Sequence, residues 1–229
     1  MSKVKSNADL LNTPTTNRQF DAEAFFVRNS SLFMVVGVLL VVGISSYFVY
    51  NYNNSQQEQE AQERMYGATY YAEADSMRLA LKGNKNHKGF EYIIQQYPNT
   101  KAGTLARFYA GVAYMKDSKF EKAIKELKQF NVGDFLVQAR AYCLIGDCYL
   151  ELGKMEDAAS SYEKAAAYRP NEQFTPGYLS KLALVYELQK NKGKEAIQAY
   201  TKIIETYPNS SDVANAKKYK ARLESMMQK

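Results

Sequence analysis

The sequence predicts an all-α chain: a single N-terminal transmembrane helix followed by an α-solenoid of about four helix-turn-helix repeats. Three observations predict it. Residues 32–50 are apolar and uncharged. Beyond them small residues recur at helical spacing, with aromatic residues at fixed places behind them. Prolines then end successive units.

The totals agree. Of 229 residues, about 170 remain for a soluble domain once the apolar stretch is set aside, enough for one sizeable core. With 46% hydrophobic residues and only 5 prolines, the chain has the means to bury one. It carries 19 tyrosines and no tryptophan, and apolar-bodied rings with a polar tip suit half-exposed helix contacts. The formal charge is +6, of which Lys3, Lys5, Arg18 and Arg28 against Asp9, Asp21 and Glu23 give the first 31 residues +1. The remaining +5 is scattered, with only pairs such as Lys217-Lys218, so no nucleic-acid partner is expected.

The stretch LFMVVGVLLVVGISSYFVY at 32–50 spans about 28 Å as a helix, the thickness of a bilayer core. Lys3, Lys5, Arg18 and Arg28 precede it, and the first basic residue after it is Arg64, behind Glu58, Glu60 and Glu63. The positive-inside rule then puts the N-terminus in the cytoplasm and the large domain outside it. Tyr47, Phe48, Tyr50 and Tyr52 form an outer aromatic belt, and Phe25, Phe26 and Phe33 an inner one. A cleaved signal peptide would want a shorter leader and a small-residue exit, so the segment is read as a retained anchor. Gly37 and Gly43 are candidate membrane contacts, where a bare backbone admits a partner helix.

Residues 53–81 read as a long helix, with the polar run 56–64 as an exposed stalk. The clearest repeat is AYCLIGDCYLELGKMEDAASSYEKAAAYRP, with Gly146, Tyr149, Gly153, Ala158, Tyr162, Ala165 and Pro170 in register. One unit back, Gly111, Tyr114, Phe120, Ala123 and Leu127 take the places of Gly146, Tyr149, Met155, Ala158 and Tyr162. One unit forward stand Ala183, Tyr186, Ala196, Tyr200, Ile203 and Pro208. A degenerate first unit ends in IIQQYPNT, the echo of IIETYPNS, and Asn86 falls where alanine is wanted. This pattern resembles the tetratricopeptide repeat, a helix-turn-helix unit of about 34 residues. Thr100 and Ser210 are predicted N-caps, Gly153 and Gly193 inter-helix turns, and Gly133-Asp134 a break between units. The divisions are a cytoplasmic leader at 1–31, the membrane helix at 32–50, a stalk with the first helix of the degenerate repeat at 51–81, and its remainder at 82–103. Three repeats follow at 104–138, 139–175 and 176–210, then a polar-faced capping helix at 211–229.

The first helices of stacked units line the inner side. The groove positions are Leu105, Phe108, Val112 and Met115, then Arg140, Cys143, Asp147 and Leu150, then Ser180, Leu184 and Glu187. That mixture suits an extended or helical peptide. Catalytic chemistry is not expected. The single histidine, His87, lies in a Gly/Asn/Lys-rich turn, and no phosphate loop or nucleophile set is present. Cys143 and Cys148 share one predicted helix about 8 Å apart, too far for a disulfide, and lack partners for zinc. Packing is their expected role, with an intermolecular disulfide the open alternative. No cofactor or metal is expected.

Phe25-Phe26, Asn29, Gly37 and Gly43 in FFVRNSSLFMVVGVLLVVG, followed by a polar segment and repeats, are similar to the YfgM family. That resemblance implies a single-span periplasmic protein of the bacterial inner membrane. Its implied partners are the Sec translocon (SecYEG) and a membrane-anchored periplasmic chaperone of the PpiD type. The expected function is a scaffold or chaperone-like accessory of protein secretion, meeting emerging secretory chains. The alternatives are an adaptor in cell-envelope assembly or division, or a regulator acting through the leader.

Overall fold

The computed structural model describes residue 25 and residues 27–132, 135–189 and 191–228. Residues 1–24 of the leader, Phe26 and the expected Gly133-Asp134 break lie outside the described residues. The chain divides into two units, residues 1–52 and 53–229.

Helix α1 runs Ser30–Glu73, and its N-terminal part is long and apolar enough to cross a membrane. In the first unit its side chains are exposed all round, Leu39, Val41 and Tyr50 each by more than half. Gly37 and Gly43 have open space where a Cβ would stand.

The second unit is all-helical among the described residues. The C-terminal part of α1 is followed by α2 (Met77–Lys82), α3 (Phe90–Gln96), α4 (Lys101–Lys116), α5 (Phe120–Gln129), α6 (Phe135–Glu151), α7 (Met155–Ala167), α8 (Thr175–Leu188), α9 (Gly193–Thr206) and α10 (Val213–Met227). Neighbours in sequence are neighbours in space, as in a repeat stack. The helices start at Lys101, Phe135 and Thr175, just before the expected repeat boundaries at 104, 139 and 176.

Two helix pairs lock through a glycine. A Cβ on Gly111 would lie 2.5 Å from Leu127 Cγ, and one on Gly146 would lie 2.6 Å from Tyr162 Cε1. Leu127 and Tyr162 are both 1% exposed, so neither can step aside. Three turns share one backbone pattern. Asp75, Ser118 and Gly153 have positive φ, and the amides of Ser76, Lys119 and Lys154 reach back to the carbonyls of Tyr71, Tyr114 and Tyr149 at 2.8, 2.8 and 2.9 Å. This is the Schellman closure of a helix C-terminus. It makes Tyr71 the counterpart of Tyr114 and Tyr149, and starts the first repeat inside α1.

That register corrects three expectations. The helix expected over 53–81 ends at Glu73, because the Asp75 turn closes it. The alanine position is filled by Ala80, 0% exposed, not by Asn86. The second helix of this repeat is split into α2 and α3 by a loop closed by the Gly83–Lys88 bridge. Asn84 Oδ1 accepts from the amides of Asn86 and His87 at 2.9 Å each, which fixes the loop.

The run 56–64 is exposed as expected on most of its surface, but one face of it docks on the repeats. Glu58 accepts from the amides of Lys101 at 2.6 Å and Ala102 at 3.2 Å, and Tyr97 donates to Glu60 at 2.9 Å. Ala61 is fully buried. A carboxylate at a helix N-terminus meets bare N–H groups and the positive end of the dipole. Thr100 caps the same helix as expected, accepting from Gly103 at 2.9 Å. Ser210 does not match it: α10 starts at Val213 with Asp212 as its N-cap, and Ser210 Oγ accepts from the Asp212 amide at 3.2 Å. Gly193 is the first residue of α9 rather than a left-handed turn.

Helix α10 follows the register of α4. Ala216 is buried like Ala106, but Lys220 and Glu224 stand where α4 has Ala110 and Tyr114. They pair at 3.7 Å, with the Glu224 side chain nearly half exposed. The core forms two clusters that meet at α6, which gives Leu144, Ile145 and Cys148 to the first and Ala139 and Cys143 to the second.

Candidate functional site

Two clefts lie along the first helices of the repeats. The upstream cleft, of about 420 Å³, is lined by Leu105, Phe108 and Tyr109 of α4, Leu136, Val137 and Arg140 of α6, and Phe174 and Tyr178 at the start of α8. The downstream cleft, of about 460 Å³, is lined by Ser180, Lys181, Leu184 and Glu187 of α8, Tyr200 of α9, and Asp212, Asn215, Tyr219 and Arg222 on the α10 side.

An aromatic lattice builds the upstream wall. Phe108 lies 5.3 Å from Phe130 and 5.9 Å from Tyr109, and Tyr109 stacks on Phe90 at 5.6 Å. Phe90 and Phe130 are buried and act as footings for the two half-open rings. The α5–α6 connection is held by the buried Gln138, which accepts from Val132 N at 3.1 Å. Opposite stands Phe174, 43% exposed, in the connection after Pro170. Asn171 Oδ1 accepts from the amides of Gln173 at 3.1 Å and Phe174 at 2.8 Å, an Asx turn that fixes the backbone beneath the ring. Thr175 Oγ1 accepts from Asn171 N at 2.8 Å, and Pro176 lies in the first turn of α8. Arg140 is exposed at the rim and is the only ionisable group of formal charge among these lining residues.

The downstream cleft is polar and internally matched. Glu187 accepts from Tyr200 at 2.7 Å and pairs with Arg222. Ser180 Oγ donates to Asp212 at 3.3 Å. Just behind, Asp147 accepts from Tyr162 at 2.6 Å and pairs with Lys181 at 2.5 Å. Burial first, then the neighbouring carboxylates, push the hydroxyls of Tyr162 and Tyr200 well above the ordinary tyrosine range.

The expected groove residues therefore separate. Leu105, Phe108 and Arg140 come together upstream, and Ser180, Leu184 and Glu187 downstream. Val112 and Met115 are half-buried against the first core cluster and Leu150 against the second, so they line neither cleft. Asp147 is held by Tyr162 and Lys181. Cys143 is fully buried in the core, which corrects its groove assignment; a helix face read at one period blurs groove and core positions. Burial raises the Cys143 thiol to about 11 and the Cys148 thiol to about 12, and takes both out of reach of another chain.

Sequence reasoning missed Tyr109, Leu136, Val137, Phe174 and Tyr178 upstream. A phenylalanine in the otherwise polar turn RPNEQF was the available signal. It also missed Lys181, Tyr200, Asp212, Asn215, Tyr219 and Arg222 downstream, which needed the placement of α9 and α10.

Family models of the tetratricopeptide repeat match residues 139–172 and 179–210. No curated protein sequence matches the chain. Among solved structures, one described as MamA protein superposes with a TM-score of 0.51 at 21% identity, over 73% of this chain and 88% of that one. A second, described as MamA, gives 0.48 at 23% identity over 62% and 74%. At such identity the first likeness speaks for the fold alone. The chain is an all-α protein carrying tetratricopeptide repeats, the architecture of a protein-interaction scaffold.

Proposed function

We propose that this chain is a single-pass inner-membrane protein whose repeat domain, outside the cytoplasm, holds polypeptide segments as a scaffold or chaperone-like accessory of the Sec translocon. The observation that carries the reading is the upstream cleft. Phe174, Leu136 and Tyr109 are 43%, 39% and 36% exposed around an apolar depression of about 420 Å³. Exposed aromatic surface on a scaffold of helices suits side chains of an extended or helical segment. Anchorage is supported by the apolar N-terminal part of α1, and orientation by the basic residues before it. Tethering raises the effective concentration of the cleft toward chains leaving the membrane. The likeness to the YfgM family at Phe25-Phe26, Asn29, Gly37 and Gly43 supports the translocon and a PpiD-type chaperone as partners.

Crosslinking in cells, followed by purification of the full chain from solubilised membranes and mass spectrometry, tests the reading. Translocon and chaperone components are the expected recovery, with secretory chains reduced in a Phe108→Ser, Phe174→Ser variant. Recovery in the cytosolic fraction, or no translocon component, counts against it.

A further inference from the structure

The two clefts differ in the state of their charges. Downstream, every formal charge in the lining has an internal partner: Lys181 with Asp147, Glu187 with Arg222, and Asp212 with Ser180. Upstream stands Arg140, exposed, with no ion pair and no hydrogen bond among the described residues. Its cleft neighbours Leu105, Phe108, Phe174 and Tyr178 offer it no carboxylate. Burial raises the Tyr178 hydroxyl above the ordinary tyrosine range, and the positive charge of Arg140 nearby pulls the other way.

We infer that the upstream cleft selects polypeptide segments carrying an aspartate or glutamate beside a large apolar side chain, with Arg140 receiving the carboxylate. The inference rests on the polypeptide-binding reading above. A segment lying in this cleft covers Arg140 and strips water from it. An uncompensated guanidinium would then oppose binding, and a second cation would oppose it further. A carboxylate at that place matches the planar fork with two parallel hydrogen bonds and relieves the cost. Charge therefore selects here, while Phe108 and Phe174 supply contact area. The carboxylate belongs to a side chain within the segment rather than to a chain end. Apolar surface continues from the cleft through Leu105 and Val137 into a second depression of about 550 Å³ that reaches Thr104, Phe130 and Val132. That continuity gives a chain room to run on past its anchor on the Leu105 and Val137 side.

The experiment uses the full chain in lipid nanodiscs and short fluorescein-labelled peptides read by anisotropy, with empty nanodiscs subtracted. The peptides carry Leu-Phe-Glu, Leu-Phe-Gln or Leu-Phe-Lys between Gly-Ser flanks with amidated ends, and a fourth ends in Leu-Phe with a free carboxylate. The glutamate peptide is expected to bind about tenfold tighter than the glutamine peptide at low salt, and the lysine peptide weakest. Arg140→Gln should level the glutamate and glutamine peptides. Arg140→Glu should reverse the order of glutamate and lysine, with the thermal midpoint unchanged because the side chain is exposed. An order unaltered by Arg140→Glu, or equal binding of all peptides to the native chain, overturns the inference and leaves the polypeptide-binding reading standing. Tighter binding of the free-carboxylate peptide than of the glutamate peptide also overturns it. Failure of every peptide to bind removes both.

Discussion

The upstream and downstream clefts are similar in volume and both lie along first helices, yet one keeps its charge open and the other closes all of its own. The cause is what stands opposite. Upstream, α4 and the Phe174 turn bring aromatic surface against α6 and leave Arg140 without a counter-ion among the described residues. Downstream, α10 brings Arg222 and Asp212 against Glu187 and Ser180, so the end of the stack is sealed by its own polar side chains. The difference teaches that a repeat fold sets where a groove runs, while a few residues on the facing helix decide whether it has capacity left to bind.

The largest change breaks both clefts at once. Gly146→Leu should drive a branched side chain into Tyr162, which is fully packed and held by Asp147, and cost about 3 kcal/mol or more. Chemical denaturation should show it, and near-native stability would unseat the interlock as the joint between the halves.

Next comes pH. Well below pH 9 the thiols of Cys143 and Cys148 are protonated whether the chain is folded or not. Above it the unfolded chain releases its protons while the folded thiols hold theirs to about 11 and about 12. The folded state then binds more protons, so stability is lost as the pH rises through that window. Tyr162 and Tyr200, raised by burial, act in the same direction on the downstream side. Scanning calorimetry should show the midpoint falling between pH 9 and 12, less steeply in a Cys143→Ala, Cys148→Ala variant. An equally steep fall would assign the loss to the tyrosines.

The direct contrast is smaller. Phe174→Ser should weaken binding of the glutamate peptide about tenfold by removing an anchoring ring, whereas Leu184→Ser in the downstream cleft should change it less than about twofold. Equal losses would erase the distinction between the clefts. The smallest effect is expected from Glu187→Gln, which leaves Arg222 without its carboxylate at a half-exposed site. A cost of about 1 kcal/mol is expected, together with new binding of the glutamate peptide downstream, read as a second site by titration calorimetry.

Much of this was legible in the residues. Gly111 ahead of Leu127 and Gly146 ahead of Tyr162 revealed the interlock, because a missing side chain answers a large one across a helix pair. The register of the first repeat is hidden by the loop between Lys82 and Phe90, an insertion that shifts everything before it. Counting forward from Ala68 and Tyr71 reaches the Asp75 turn and Ala80. Leu105, Phe108 and Arg140 were found from helix faces, whereas Phe174 comes from a connection with no period. Glu58 was hidden for another reason. Its partners are backbone amides, which leave no trace in composition, so a polar run that caps a helix looks like one that faces water.

That carboxylate has a practical consequence for anyone cutting the gene. A fragment beginning at Asn53 keeps Glu58 over the first amides of α4. A fragment trimmed to Met65, at the end of what looks like dispensable linker, would discard the acid, Tyr97's acceptor Glu60 and the buried Ala61 together. Crystallisation or binding trials that start from the shorter piece would be studying a frayed first repeat.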